Sequence, residues 1–305
     1  MTEHLRIGSR GSKLAVIQAE YVRDQLVSLN PGVEFEMVTV TTTGDQNTTV
    51  SLEKLGGEGV FVKELEEALL KKQIDIAVHS LKDMLTTIPE NLRLAAVPQR
   101  VDPRDVIISP AEKLAELPAG AKIGTGSQRR AVQIRALRSD IEICGLRGNI
   151  DTRIRKAFSD ELDGIVMAAA ALIRLGMEDR ISEYLSTEDF IPAVGQGALG
   201  IEIRANDART YEIVAPLDHQ PSCQCVTAER SFLRALGGGC RAPIAALGIV
   251  EDEKLSLNGI VSDPQGNTIL HASIEGSASE PERVGRELAA KMIDMGAESL
   301  VEKGQ

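Results

Sequence analysis

The sequence predicts an α/β protein made of two α/β units and a small α+β domain at its carboxyl end. Strand-like and helix-like segments alternate in two stretches, which are separated by a charged linker with prolines at 97–104. Such alternation is typical of parallel sheets with helices packed on them. The last part of the chain instead predicts a helix, a hairpin and a helix, and the length of 305 residues exceeds that of one average domain.

The first α/β unit opens with a helix that we expect to begin after Ser12 and to end before the Asn-Pro-Gly stop at 30–32. Ser12 is a good N-cap, and apolar residues recur behind it at helical spacing. Residues 33–41 alternate and are rich in Val and Thr, which indicates a strand. After a glycine-rich loop, an amphipathic helix at 61–73 leads into a buried strand at 74–78. These elements predict a parallel sheet.

The second unit repeats the alternation, and the carboxyl end differs in kind. A Gly- and Pro-rich passage at 191–198 predicts a return crossing of the chain. After it, a helix at 226–236, a hairpin whose turn lies at 263–267 and a helix at 281–295 predict a small α+β domain. The second unit is predicted to contain strands at 122–124, 141–144 and 164–167, and helices at 128–138, 152–158 and 169–175.

Composition argues against several classes of protein. The formal net charge is −11, so nucleic acid or an anionic membrane surface would be repelled. Aromatic residues make up 3% and there is no Trp, which leaves few side chains on which bases could stack. The amino terminus lacks the apolar run of a secretory signal, and the longest apolar run, 165–173, is shorter than the roughly 20 residues that span a bilayer. Four cysteines in such a chain are typical of free thiols in a reducing compartment. We therefore expect a cytoplasmic protein.

Positive charge is concentrated in one part of the chain. Residues 122–174 carry ten basic and six acidic side chains, and eight of the ten are Arg, whose planar fork binds carboxylate or phosphate bidentately. Three loops, at 9–13, 125–130 and 147–149, each follow a predicted strand and open a helix, where backbone N–H groups and the helix dipole attract anions. We expect a cleft between the two units for a small molecule with several carboxylates or phosphates. The arginines assigned to it are Arg10, Arg129, Arg130, Arg147 and Arg153, whereas Arg135, Arg138, Arg155 and Lys156 are expected to solvate helix faces.

Two short motifs could carry chemistry. The first ends in Lys82 and Asp83 after a predicted strand, where Asp83 could transfer a proton or stabilise a cation. By composition alone, however, this pair is more typical of a solvated turn, and His79 of a hydrogen-bonded structural residue. Cys240 follows three glycines and precedes an arginine, which favours a nucleophilic thiolate and equally fits a small buried cysteine at a helix end. Cys223 and Cys225 lack the spacing of zinc ligands, so no metal site is expected.

A binding module has the same outline. Two α/β lobes with an anion cleft also describe solute-binding proteins and the effector domains of transcription regulators. The missing signal argues against the first class and the missing DNA-binding domain against the second. Neither class explains Cys240.

Five motifs, in order along the chain, resemble those of one enzyme family. In them the sequence is similar to porphobilinogen deaminase, also called hydroxymethylbilane synthase, from end to end. The motifs are Ile7-Gly8-Ser9-Arg10-Gly11-Ser12-Lys13-Leu14-Ala15, His79-Ser80-Leu81-Lys82-Asp83-Met84, Gly145-Leu146-Arg147-Gly148-Asn149 with Thr152-Arg153, Pro192-Ala193-Val194-Gly195-Gln196-Gly197-Ala198, and Gly238-Gly239-Cys240 with Ala242-Pro243.

The resemblance implies an activity and a cofactor. In the family, a transferase of tetrapyrrole biosynthesis joins four porphobilinogen molecules head to tail into hydroxymethylbilane and releases ammonia. Each porphobilinogen carries an acetate and a propionate group, and the growing chain hangs from a dipyrromethane cofactor held by a thioether. The expected partner is this small substrate, with no nucleic acid and no membrane, and we expect a monomer.

The family fold implies three domains. Two of them, 1–98 with 194–217 and 99–193, are expected to be α/β domains like those of periplasmic binding proteins. The third, 218–305, is expected to be the small α+β domain that carries Cys240.

The resemblance also implies a role for single residues. Cys240 would attach the dipyrromethane, Asp83 would assist loss of the aminomethyl nitrogen and stabilise the azafulvenium-like cation, and Lys82 would bind carboxylate. The side chains implied to bind the cofactor, besides Cys240, Lys82 and Asp83, are Ser127, Arg129 and Arg130, and those implied to bind substrate are Arg10, Ser12, Arg147, Arg153, Arg174 and Gln196.

Four features depart from the family pattern. Proline follows the Lys-Asp pair only at Pro89, and Asp151 replaces a typically neutral residue between Arg147 and Arg153. Gly126 and Gln128 stand where the family more often has Ser and an apolar residue. We expect Gly126 to remove one hydroxyl contact and Asp151 to weaken one anion site.

Overall fold

The computed structural model describes residues 3–40, 62–110, 113–159, 161–237 and 243–302. The chain forms two compact units, each made of two separate stretches: Met1–Val101 with Ala198–Cys223, and Asp102–Gly197 with Gln224–Gln305. It therefore passes into the second unit after Val101 and returns to the first after Gly197. The three-domain boundaries stay a prediction.

The first unit is built on a five-stranded sheet. Across the sheet the strands are β2 (Val33–Val40), β1 (Glu3–Arg10), β3 (Ile76–Ser80), β10 (Leu199–Arg204) and β4 (Leu92–Ala96). β1 pairs in parallel with β2 and β3, whereas β10 pairs antiparallel with β3 and β4. The helices of this unit include α1 (Lys13–Leu29), α2 (Lys63–Leu70) and α6 (Ala208–Val214).

The position of α1 follows from its sequence. The Ser12 hydroxyl accepts a hydrogen bond from the Ala15 amide at 3.3 Å, which confirms the predicted N-cap. Ala19, Val22 and Leu26 are buried at helical spacing and share one core with apolar side chains of the sheet. The loop that precedes α1 is thereby held at the carboxyl end of β1.

The second unit contains a sheet of the same size. Across it the strands are β7 (Glu142–Cys144), β6 (Lys122–Gly124), β8 (Gly164–Ala168), β5 (Asp105–Ile108) and β9 (Glu183–Tyr184). β6 pairs in parallel with β7 and β8, whereas β5 pairs antiparallel with β8 and β9. Its helices include α3 (Gln128–Leu137), α4 (Ile150–Ala157) and α5 (Ala169–Leu175).

Both sheets are mixed, so the prediction of parallel sheets is wrong for one strand in each. The reversed strands are β10 and β5, and each is the first strand after the chain enters its unit from the other one. The alternation of strands and helices correctly indicated the parallel strands. It could not indicate the reversed strands, because their direction is set by where the chain enters the sheet.

The carboxyl end forms a small α+β structure, as predicted. Strands β11 (Ile244–Glu251), β12 (Lys254–Ser262) and β13 (Ile269–Ser277) make an antiparallel sheet. The other elements are helices α7 (Gln220–Ala235), α8 (Pro281–Asp294) and α9 (Ala297–Glu302). Side chains of both kinds of element, among them Phe232, Leu257 and Leu288, share one buried core. The predicted fold class, two α/β units with this small α+β domain, is confirmed.

Several elements differ from the sequence prediction. Strands β4, β5, β9, β10 and β11 were not predicted, and α7 begins at Gln220 rather than at residue 226. A proline follows Gln220 in the sequence, and proline is favoured in the first turn of a helix. The sequence therefore contained a local signal for the start of α7 at Gln220. Within the described ranges, no helix is both long and apolar enough to cross a membrane.

Candidate active site

Two loops of the second unit that are predicted to bind anions lie at one edge of its sheet. β6 and β7 are parallel neighbours, so the loops that follow them leave the sheet on the same side. The Ser127 hydroxyl caps α3 by accepting from the Arg130 amide at 3.4 Å, and the Asn149 side chain caps α4 by accepting from the Thr152 amide at 2.9 Å. The predicted strand-to-helix loops are therefore confirmed as helix N-termini.

Three arginines gather at this edge, and we call Arg130, Arg147 and Arg153 the arginine cluster. Burial lowers the pKa of Arg153, and the positive charges of Arg130 and Arg147 lower it further. The Arg153 Nε donates to the Gly148 carbonyl at 2.8 Å, and Arg147 is exposed. Among the described residues, no carboxylate pairs with Arg147 or Arg153. The cluster therefore concentrates positive charge that an anion could neutralise.

A buried carboxylate lies beneath the tandem Arg129 and Arg130. Arg129 Nη1 donates to Asp105 Oδ2 at 2.8 Å, and Arg130 Nε donates to Asp105 Oδ1 at 2.9 Å. Burial alone would raise the pKa of Asp105, but the two guanidinium charges and their hydrogen bonds lower it to about 2. Asp105 is therefore ionised at neutral pH and compensates part of the charge of the tandem.

Arg129 and Arg130 have different surroundings. Arg129 also donates to the Ile191 carbonyl at 2.9 Å and lies over the Phe190 ring, so its guanidinium is enclosed by the protein. Arg130 is the member of the tandem that acts on Arg153. Both side chains are buried, at 6% and 8% exposed, and a role in holding the cofactor stays a prediction for both.

Two predicted substrate-binding residues contact the segments in which the chain passes between the units. We call residues 101–104 and 191–197 the crossing segments. Gln196 is buried, and its Nε2 donates to the Pro103 carbonyl at 2.8 Å and to Asp105 Oδ1 at 3.0 Å. Arg174 Nη2 donates to the Gly197 carbonyl at 2.8 Å. Both side chains thus hold backbone in place, and their contact with substrate stays a prediction.

The remaining predicted residues of the described chain lie together in the first unit. Lys82 and Asp83 form a short 3-10 turn directly after β3, and Arg10 and Ser12 lie at the end of β1. Because β1 and β3 are parallel neighbours, both pairs lie at the same edge of the sheet. Asp83 is half-buried, and no hydrogen bond or ion pair within the described chain engages its carboxylate. That carboxylate is available for chemistry.

A buried pair stands just before this turn. His79 Nε2 lies 2.9 Å from Glu202 Oε2, with the two side chains 3% and 0% exposed, which confirms the prediction of a hydrogen-bonded structural histidine. The charge of Glu202 also acts on a neighbouring carboxyl group, that of Glu66. Burial raises the pKa of Glu66, and Glu202 raises it further. The pair joins β3 to β10 and so supports the strand from which Asp83 emerges.

Sequence reasoning missed Asp105 and Glu202. Asp105 is separated from its arginine partners by 24 and 25 residues, and Glu202 from His79 by 123. A single carboxylate in an apolar strand was the available signal, since Asp and Glu are rarely buried unless they are paired.

Cys240 and its glycine loop lie outside the described residues, so the structure places neither. The described cysteines, Cys144, Cys223 and Cys225, form no disulfide with one another. Over the same ranges, no group of three or more His, Cys, Asp or Glu side chains is arranged to hold a metal ion.

Taken together, the fold and these groups define an α/β protein whose strand ends carry arginines and helix N-termini suited to anions. Two family models match the chain: "Porphobilinogen deaminase, dipyromethane cofactor binding domain" at residues 5–212 and "Porphobilinogen deaminase, C-terminal domain" at residues 223–294. The chain belongs to the porphobilinogen deaminase family, whose enzymes are transferases that condense porphobilinogen to hydroxymethylbilane in tetrapyrrole synthesis.

Individual relatives match over almost their whole length. The porphobilinogen deaminase of Syntrophobacter fumaroxidans is 46% identical over 300 residues, which is 98% of this chain and 97% of that protein. The enzyme of Carboxydothermus hydrogenoformans is 45% identical over 304 residues, which is 99% of this chain and 98% of that protein. Among solved structures, the methionine-binding protein MetQ is 14% identical with a TM-score of 0.46, over 70% of this chain and 89% of that one.

Proposed function

We propose that this chain assembles hydroxymethylbilane on a dipyrromethane attached to Cys240, with Asp83 at the reacting centre and the arginine cluster holding carboxylates. The arginine cluster carries the proposal: three guanidinium groups stand close enough for two of them to lower the pKa of the third. Such a concentration of like charge is favourable only if anions neutralise it.

The residues present fit a dipyrromethane cofactor, whose pyrroles carry acetate and propionate carboxylates. When bound, the cofactor supplies the pyrrole carbon to which the first substrate molecule is joined. Guanidinium forks and helix N-termini are suited to carboxylates, and Ser127 caps one such helix. The side chains that would hold the cofactor are Lys82, Asp83, Ser127, Arg129 and Arg130, with Cys240 as its attachment point.

Asp83 is the residue proposed to handle charge during the condensation. Its carboxylate follows Lys82 at the carboxyl end of β3 and is engaged by no other described group. It can therefore hold a proton on the departing amino group and then stabilise the cation that remains on the substrate. Lys82 binds a substrate carboxylate in this scheme.

The proposed substrate-binding residues divide into two kinds. Arg10, Ser12, Arg147 and Arg153 lie at strand ends or helix starts, where anions bind. Arg174 and Gln196 contact the crossing segments and would act near them. We further propose a cytoplasmic monomer that binds neither nucleic acid nor membranes, in keeping with the net charge of −11.

Replacing Asp83 tests the proposed role. Asp83→Ala should lower kcat at least ~100-fold, as expected for loss of a proton-transferring group, while the protein keeps its covalent adduct. Hydroxymethylbilane formation and intact mass measure the two effects. Asp24→Ala is the matched control, since Asp24 is an exposed carboxylate on α1 that pairs with Arg23. Near-normal turnover by Asp83→Ala would contradict the role.

A further inference from the structure

We propose that Asp105 is a positioning residue that orients Arg130 within the arginine cluster and links the cluster to both crossing segments. The inference rests on the proposed function, because Arg147 and Arg153, which share the arginine cluster with Arg130, are the members proposed to bind porphobilinogen carboxylates. Asp105 itself is fully buried and touches no substrate in this scheme.

The contacts of Asp105 fix the plane of the Arg130 guanidinium. Its Oδ1 accepts from Arg130 Nε at 2.9 Å and lies 2.7 Å from Arg130 Nη2. Arg130 Nη1 donates to the Val166 carbonyl at 3.3 Å. A guanidinium bound along one side in this way cannot turn about its long side chain. Arg130 is therefore held in one orientation, with 9% of its side chain exposed.

The same carboxylate also controls the charge of the cluster. Arg130 is one of the two cations that act on Arg153, so the Asp105 charge beside Arg130 offsets part of the repulsion among the three. Without this carboxylate, Arg129 and Arg130 would stand buried side by side with no other described carboxylate to compensate them. Uncompensated buried charge is strongly unfavourable. Arg130 would then be expected to shift away from its neighbours.

Asp105 further joins the cluster to the two crossing segments. It immediately follows the first of these segments, and its Oδ1 accepts from Gln196 of the second. Gln196 in turn bonds the Pro103 carbonyl, and Arg129 bonds the Ile191 carbonyl. A continuous chain of hydrogen bonds therefore runs from the arginine cluster to both segments. Carboxylates that bind the cluster would compete with Asp105 for Arg130 and so weaken this series of hydrogen bonds.

Asp105→Asn tests the inference, because it keeps the shape and removes the charge. We expect KM for porphobilinogen to rise about tenfold or more, as for loss of charged hydrogen bonds, with a smaller change in kcat because Asp83 is unchanged. Asp75→Asn is the matched control: Asp75 is a buried carboxylate that pairs with Arg6 and Arg204 of the first unit. Both variants should lose thermal stability, and only Asp105→Asn should raise KM.

A double-mutant cycle with Arg130→Lys separates positioning from general destabilisation. If Asp105 acts through Arg130, the effects of the two substitutions on KM are not additive. The increase in Tm with inorganic phosphate, measured on Cys240→Ala and on Cys240→Ala/Asp105→Asn, gives a readout without turnover and should be smaller in the second protein. If Asp105→Asn does not fold, Asp105→Glu takes its place in the cycle.

Three results would overturn the inference: an unchanged KM in the folded Asp105 variant, an additive cycle, or an equal response to phosphate. They differ from failure of the proposed function, which would appear as a wild-type protein that does not turn over porphobilinogen.

Discussion

At the residue scale, Arg129 and Arg130 show that the burial of a side chain is not visible in the local sequence. The pattern of small residues and arginines at strand ends correctly predicted loops that open helices, since it depends only on local sequence. It could not predict that both arginines are buried, because the partners of Arg129, Asp105 and Ile191, lie 24 and 62 residues away. Burial of a long polar side chain depends on partners that only the folded chain supplies.

Gly126 and Asp151 also have local physical explanations. A Cβ at Gly126 would lie 2.8 Å from the Leu146 carbonyl oxygen, so on this backbone a serine would need the loop to shift. Asp151 lies in the first turn of α4, where a negative charge stabilises the helix dipole. The expectation that Asp151 weakens an anion site stays a prediction.

Replacing Arg147 tests whether the arginine cluster needs the shape of the guanidinium group in addition to its positive charge. Arg147→Lys keeps the positive charge and removes the planar fork that binds carboxylates bidentately. We expect slower substrate addition with a higher KM, measured by steady-state kinetics and by the distribution of enzyme-bound intermediates in intact mass spectra. Arg155→Lys is the control, because Arg155 is exposed on α4, the helix that follows the Arg147 loop. Unchanged kinetics for Arg147→Lys would make it a surface arginine.

At the element scale, the sequence predicted helices better than strands. Helix α1 shows both a cap and a repeating apolar face, and each is a local signal. Strand β10 lies inside the sheet between β3 and β4, and its position depends on pairing with strands more than one hundred residues earlier in the chain. A short apolar run alone does not distinguish such a strand from other buried segments.

Packing of α8 on α7 offers a test of the small α+β domain. A Cβ at Gly285 would meet the Ala228 carbonyl oxygen and would lie 2.8 Å from the Phe232 amide nitrogen. Gly285→Ala should therefore destabilise the protein by about 1–3 kcal/mol, although alanine favours a helix by about 1 kcal/mol. Thermal or denaturant unfolding measures the change.

Gly145→Ala serves as the control for that substitution, because nothing lies within 4 Å of the Cβ it would add. Its stability should stay within about 1 kcal/mol of wild type. A more stable Gly285→Ala protein would show that α7 and α8 are not in close contact.

At the scale of the whole molecule, a chain of net charge −11 gathers positive charge in one region. The arginine cluster is unfavourable until anions neutralise it, so anions that bind the folded state should raise its stability. We expect purified Cys240→Ala, lacking the cofactor, to have a lower Tm than wild type, and phosphate to restore part of the difference. Chloride at equal ionic strength is the control. An equal effect of the two salts would show that the cluster has no specific affinity for polyanions.

The covalent attachment to Cys240 is tested most directly by the intact mass of the purified protein. The account predicts that wild type is heavier than its sequence by one two-pyrrole unit, and that Cys240→Ala has the mass of the sequence alone. An active wild-type protein with the unmodified mass would contradict it.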